Sequence, residues 1–290
     1  MIFSSLCDII QVDKGNRGIR RLFSNSQLDG ATSAILPLLS KSSSTFIIIS
    51  GFYIPAYQQA ETDGPLGLYD LVRTLLSLNA KVIVVAPTSC TAVISAAISP
   101  IQSSMVEMKF VDESSDLIVD FDCLISIEAV GPSRDGNSYT MRGTNSSEFA
   151  APLYMEKLFQ VAKSKNVPSI SIGDGGNELG SGVPSFLEII ARDVPKGELI
   201  ACRVPSDVPI FCGVSNWGGC ALSLCLAKSM ISTVPNVYIA NVADQTSTLA
   251  RILEVGAVDG VKGCREMSVD GFPWEDHCEV TRSLRAAVGI

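Results

Sequence analysis

Two rhythms of apolar and polar positions run along this chain. Phe46-Ile47-Ile48-Ile49 is an unbroken apolar run ending at Ser50-Gly51, as expected of a strand buried on both faces. After a loop through Pro55 to Gly64, Leu68, Leu71, Val72, Leu75 and Leu76 fall on one face of a helix with Pro65 in its first turn. Lys81-Val82-Ile83-Val84-Val85 is the next strand. Strand, helix and strand in this order predict parallel pairing through a right-handed crossover.

The alternation continues. Met108 to Val111 and Cys123 to Ile127 read as short strands, and Tyr154, Leu158, Val161 and Ala162 share a helical face. Ser169 to Ile172 is a strand that runs into Gly173-Asp174-Gly175-Gly176. Leu199 to Cys202 and Val237 to Ala240 read as strands. Leu222, Cys225, Leu226 and Ser229 mark a helix after Gly218-Gly219. Leu249, Ile252 and Leu253 mark another, stopped by Gly256. The last ~25 residues show no clear period. The expectation is a single α/β domain over residues 1–290: a doubly wound, mostly parallel sheet with helices on both faces, three-layered and Rossmann-like.

Composition narrows the function. Of 290 residues, 47% are hydrophobic and 18% charged, enough to bury a large core. The net charge of -8 comes with no basic stripe, which argues against a nucleic-acid partner. Arg17, Arg20 and Arg21 form too short a cluster to count as one. No apolar run can cross a bilayer, so no membrane partner is expected. The segment Met1 to Ile10 lacks a basic start and carries Asp8, which reads as no secretory signal. Nine cysteines without a Cys-x-x-Cys pair suggest buried reduced thiols in an intracellular protein that is not secreted.

In an open α/β sheet, ligands bind beyond the carboxyl ends of the strands. Four segments belong there. In the first, Gly51-Phe52-Tyr53-Ile54-Pro55 leads to Glu61-Thr62-Asp63-Gly64-Pro65; Asp63 reads as a helix cap or as a catalytic acid, and Glu61 has no capping role. In the second, Gly173 to Gly180, glycines allow close backbone approach, and Asp174, Asn177 and Glu178 add polar groups. It fails the dinucleotide fingerprint, since Glu178 stands at the third glycine position. The third holds Arg134 and Arg142, suited to a carboxylate but equally at home on a solvated hairpin. In the fourth, Val214 to Gly219, Asn216 reads as a cap of its own helix and Trp217 as a pocket wall. His277, in a polar terminal stretch, reads as a surface residue. A serine hydrolase built on Ser215, Asp270 and His277 is a minor third reading. Six Asp-Gly pairs, among them Asp63-Gly64 and Asp174-Gly175, read as turns.

Taken together, Gly51 to Pro55, Glu61 to Pro65, Gly173 to Glu178 and Val214 to Gly219 resemble the D-glutamate cyclase family. Asn16-Arg17-Gly18 and Tyr139 to Gly143 resemble it too, so the likeness spans roughly Asp13 to Gly263. The resemblance implies a hydro-lyase that converts D-glutamate to 5-oxo-D-proline and water, placed in mitochondria. Cyclisation needs a general base and a general acid of different pKa. With no histidine in these loops, Glu61, Asp63, Asp174 and Glu178 are the catalytic candidates. Arg134 or Arg142 would hold the α-carboxylate. The amides of Gly175 and Gly176, with Asn177 and Asn216, would stabilise an oxyanion, and Gly51, Tyr53 and Trp217 would complete the substrate pocket. A divalent cation, Mg²⁺ or Mn²⁺, on Asp63, Asp174 and Glu178 is the variant scheme. The competing class is a non-catalytic binding domain for a small carboxylate or nucleotide. A homo-oligomer is compatible with either.

Overall fold

The computed structural model describes residues 2–41 and 43–290. Met1, at the head of the segment read as carrying no signal, lies outside the described residues. Six strands make the main sheet: β1 Thr45–Ser50, β2 Lys81–Pro87, β3 Val106–Val111, β4 Cys123–Ile127, β5 Ser169–Gly173 and β6 Val208–Phe211. All neighbours pair in parallel, in the order β3-β2-β1-β4-β5-β6. The direction of winding reverses between β1 and β4. That switch point opens a crevice above the strand ends.

Side chains of β1 alternate between two cores. Phe46 and Ile48 face the larger one, Ile47 and Ile49 the smaller. Each of these isoleucines is fully buried, which contributes roughly 1.5–3 kcal/mol per side chain. The helices are α1 Ile2–Ile10, α2 Gln27–Leu39, α3 Pro65–Ser77, α4 Thr91–Ile98, α5 Pro152–Lys165, α6 Pro184–Asp193, α7 Ser215–Met230, α8 Val242–Glu254 and α9 Trp274–Val288. Helix α5 covers the smaller core through Tyr154, Met155, Leu158, Phe159 and Ala162. Helices α2, α3, α4 and α7 cover the other face, with α1, α8 and α9 packed around them. The three layers are therefore unequal. Among the described residues, no helix is long and apolar enough to cross a membrane.

Several readings of the pattern are corrected. Leu199 to Cys202 is the end of a short helix, Gly197–Ile200, followed by coil. The sixth strand lies further on, at Val208–Phe211, hidden by its brevity and by Pro209. Val237 to Ala240 is coil. The aperiodic C-terminal stretch contains a 15-residue helix, α9. Its buried positions are His277, Cys278, Thr281, Leu284 and Val288, a helical spacing in which two of the five residues are polar. Polar side chains on the inner face masked the period. Asp29-Gly30 is no turn but lies inside α2.

Candidate active site

Helices α3 and α7 pack side by side with their N-termini together above the switch point, and they cap each other. Asn216, in the first turn of α7, accepts hydrogen bonds from Leu66 N (3.1 Å) and Gly67 N (3.0 Å) of α3. Asp63, just before α3, accepts from Ser215 N and Asn216 N of α7, both at 2.8 Å. Both residues were read as capping the helix next to them in sequence. Each instead serves the other helix, because the orphan amides of two close N-termini face one another. Gly67 and Gly219 let the helices approach: a Cβ on Gly219 would lie 2.6 Å from Gly67 Cα. The glycines of α7 lie inside the helix and do not precede it.

Glu128 follows β4 directly, and its backbone is left-handed, with φ 42°. A non-glycine residue held in that region is a strained conformation typical of functional sites. Its carboxylate accepts a 2.5 Å hydrogen bond from Ser215 Oγ. Asp174 follows β5. Asp270 sits at the tip of the hairpin formed by Ser268–Val269 and Phe272–Pro273, where Asp270 and Gly271 both have positive φ. That is the conformation an Asp-Gly hairpin turn requires. Glu61 N donates to Phe52 O, and the Glu61 carboxylate lies against Gly260, where any side chain would overlap Oε2.

One nearly buried cation enters this group. Asp13 accepts from Arg17 N (2.7 Å) and Gly18 N (3.0 Å), folding the loop after α1 so that the Arg17 guanidinium pairs with both Asp174 and Asp270. Burial opposes the charge of Arg17, but Asp174, Asp270 and Glu128 more than offset it and raise its pKa. The acids move upward. Burial, then the charges of Asp63, Asp270 and Asp174, push Glu61 well above the usual carboxylate range. Burial, then Asp174 and Asp63, do the same to Glu128. Asp63 rises through burial and the Asp174 and Asp270 charges, although the amides of Asn216 and Ser215 pull it back. Asp174 is pushed up by burial to about 6 and Asp270 to about 7, with Arg17 restraining both.

Arg17, Glu61, Glu128, Asp174, Asn177 and Asp270 line a cleft of about 270 Å³, a size suited to a small metabolite. Asp174 and Glu61, which come from distant loops, share its wall. Arg142 stands at the mouth, donating to Tyr57 Oη (2.9 Å) and Val261 O (2.8 Å). Asn177 Nδ2 donates to Tyr139 O, while its Oδ1 is buried without a partner.

Other candidates fall elsewhere. The Glu178 carboxylate accepts from the backbone N–H groups of Asp174, Gly175 and Gly176, at 3.1, 2.7 and 2.7 Å. It shapes the loop, and it consumes the Gly175 and Gly176 amides assigned above to an oxyanion. Asn216 is spent on its cap in the same way. Arg134 lines a separate surface groove with Glu188 and Glu198. Tyr53 stacks on Phe149 at 4.4 Å, and Gly51 packs tightly on Cys90. Neither lines the cleft.

Trp217 is no pocket wall. Its Nε1 donates to His277 Nδ1 at 3.0 Å inside the larger core. His277 is therefore buried, its second ring nitrogen bonded to Val269 O at 3.1 Å and its ring stacked on Trp274. Both nitrogens are engaged and Ser215 Oγ is held by Glu128, so the Ser215–Asp270–His277 hydrolase geometry does not exist. Eight of the nine cysteines are buried, and all are free thiols.

Sequence reasoning gave Glu128 and Arg17 no role in the site, and named Asp270 only in the minor hydrolase reading. Glu128 was marked by its place immediately after a buried strand, and Asp270 by its Asp-Gly turn. Arg17 was marked by the Asn16-Arg17-Gly18 likeness to the family, which assigned it no role.

The family described as D-glutamate cyclase-like, C-terminal, matches residues 6–285. The chain belongs to this family. It is 29% identical, over 95% of its length, to human mitochondrial D-glutamate cyclase, and spans 50% of that protein. Among solved structures it has a slight likeness to the Bordetella bronchiseptica enzyme WbmF in complex with NAD⁺. That match has 11% identity, covers 77% of this chain and 72% of that one, and reaches a TM-score of 0.24, too low to bear on fold or cofactor. In this family member, buried acids and the Arg17 guanidinium come together in the cleft described above.

Proposed function

We propose that this chain is a hydro-lyase that closes D-glutamate to 5-oxo-D-proline. The observation that carries the reading is the pairing of differently poised acids around Arg17 in one metabolite-sized cleft. Burial lifts Glu61 well above the usual carboxylate range, whereas Asp270, at about 7, exchanges a proton near neutrality. The family match and the human relative's name support the substrate class.

In the reaction the α-ammonium first gives a proton to Asp270. The freed amine lone pair attacks the γ-carboxyl carbon, forming the ring C–N bond. One γ-oxygen then leaves as water, taking one proton from Glu61 and, from Asp270, the proton first given up by the ammonium. Asp270 next accepts the remaining ring-nitrogen proton, and its transfer to Glu61 by way of solvent restores both acids. Arg17 holds a substrate carboxylate by exchanging part of its pairing with Asp174 and Asp270. Enclosing glutamate in a cleft this small brings its two ends together, an orientation effect. The free thiols suit a reducing compartment, and the human relative's mitochondrial name points to the matrix.

The test is incubation of the purified chain with D- or L-glutamate and chromatographic detection of 5-oxoproline. D-glutamate is expected to react, with Glu61→Gln and Asp270→Asn each lowering kcat by about 10²–10⁴-fold. Glutamate binding without product, or wild-type rates in both variants, would overturn the proposal. The first outcome would make the chain a carboxylate-binding domain.

A further inference from the structure

Asp63, Glu128 and Asp174 each offer a carboxylate oxygen within 4.8 Å of the other two, and all three residues are buried. Hard divalent cations bind oxygen at about 2.0–2.6 Å, which sets neighbouring ligand atoms about 3–5 Å apart. The donors have capacity left. Asp63 Oδ2 accepts one backbone hydrogen bond, from Ser215. Glu128 is bonded through Oε2, to Ser215 Oγ, and Asp174 is paired through Oδ2, with Arg17.

A second observation points to a ligand. Ser50 Oγ is fully buried and has no hydrogen-bond partner. Ser50 ends β1 and pairs with Ile127 of β4, the residue before Glu128. A Cβ placed on Gly64, next to Asp63, would lie 2.8 Å from Glu128 Cβ and 3.1 Å from Ser50 Oγ. Asn177 Oδ1, equally buried and unpartnered, lines the cleft beside Asp174. Orphaned hydroxyl and amide oxygens next to a carboxylate cluster are the donors a hard cation takes up. The acids also outnumber the cations: Glu61, Glu128, Asp174 and Asp270 line the cleft with Arg17 and Arg142, and Asp63 is buried beside Glu128 and Asp174.

We propose that Asp63, Glu128 and Asp174, with the Ser50 hydroxyl, bind one hard divalent cation of the Mg²⁺ or Mn²⁺ class at the switch point of the sheet. This set replaces the one read from sequence, because Glu178 is spent on backbone amides and Glu128 stands where it was placed. The site rests on the cyclase reading for its use, which would be to polarise the γ-carboxyl, but not for its existence.

The full chain, stripped with chelator, is titrated with Mn²⁺ while the free-ion EPR signal is followed. One Mn²⁺ per chain is expected, displaced by Mg²⁺, with a raised melting temperature. Glu128→Gln and Asp174→Asn should each weaken binding by at least about tenfold, and Asp112→Asn, an exposed acid, should bind as wild type. Should either variant fail to fold, anomalous diffraction from wild-type crystals soaked in Mn²⁺ decides, with a peak expected between the three carboxylates. No bound Mn²⁺ in the wild type, a peak elsewhere, or unchanged binding in both folded variants would overturn the site. Unaltered 5-oxoproline formation after chelation would sink its catalytic use and leave the cyclase reading standing. Bound Mn²⁺ with no turnover would do the reverse.

Discussion

Asp70 and His277 are buried titratable groups outside the cleft, and burial drives their contributions to stability in opposite senses. Asp70 accepts from Gln245 Nε2 (2.6 Å) and Tyr238 Oη (3.1 Å), yet burial raises its pKa from 3.8 to about 7. The folded state holds that proton more tightly than the unfolded chain. The contribution is full below about pH 4 and is lost as pH rises through about 7. His277 is lowered by burial from 6.5 to about 4. Its contribution is full above about pH 6.5 and is lost as pH falls through about 4. Each slope is at most about 1.4 kcal/mol per pH unit, so in the wild type they oppose one another. Asp70→Asn should remove the falling slope and His277→Gln the rising one, read from urea midpoints between pH 4 and 7. Identical pH profiles for wild type and Asp70→Asn would contradict the assignment. For Glu178→Gln, the loss of charged acceptors to three amides should destabilise by ~1–3 kcal/mol.

At the scale of elements, the crossing of α3 and α7 decides where the chemistry sits. Thr74 Oγ1 and Ser223 Oγ meet at 2.6 Å further along the same interface. Gly219→Ala should destabilise by about 1–3 kcal/mol through overpacking against Gly67, outweighing the ~1 kcal/mol that alanine gains in helix propensity. Asn216→Ala should cost about 1 kcal/mol by uncapping α3. Denaturant titration checks both, and a stabilised Gly219→Ala protein would show that the contact is looser than described. The strands β1, β2, β4 and β5 were legible because nearly every position is buried and the runs are mostly Ile, Val, Leu and Phe, broken chiefly by small serines. Strand β6 and helix α9 were not, since Pro209 interrupts one and His277, Cys278 and Thr281 occupy the inner face of the other.

At the scale of the whole molecule, a net charge of -8 would repel the D-glutamate proposed as substrate. Repulsion should slow its approach at low salt, where the screening length is about 30 Å at 0.01 M, against about 8 Å at 0.15 M. The KM for D-glutamate should therefore fall as ionic strength rises over that range. A KM that climbs with salt instead would mean that Arg17 and Arg142 dominate the field at the cleft.

The chain's own order of residues determined the parallel α/β sheet, the glycine-rich loops at its strand ends and the presence of acids within them. These follow from periodicity and from backbone freedom, which are local properties. Only the tertiary structure decided which acids face the cleft. Glu178 turned inward on its own loop, Asp63 and Asn216 exchanged helices, and Glu128, Arg17 and Asp270 arrived from remote segments. Desolvation and charge pairing depend on what surrounds a group in space, and neighbours along the chain do not reveal it.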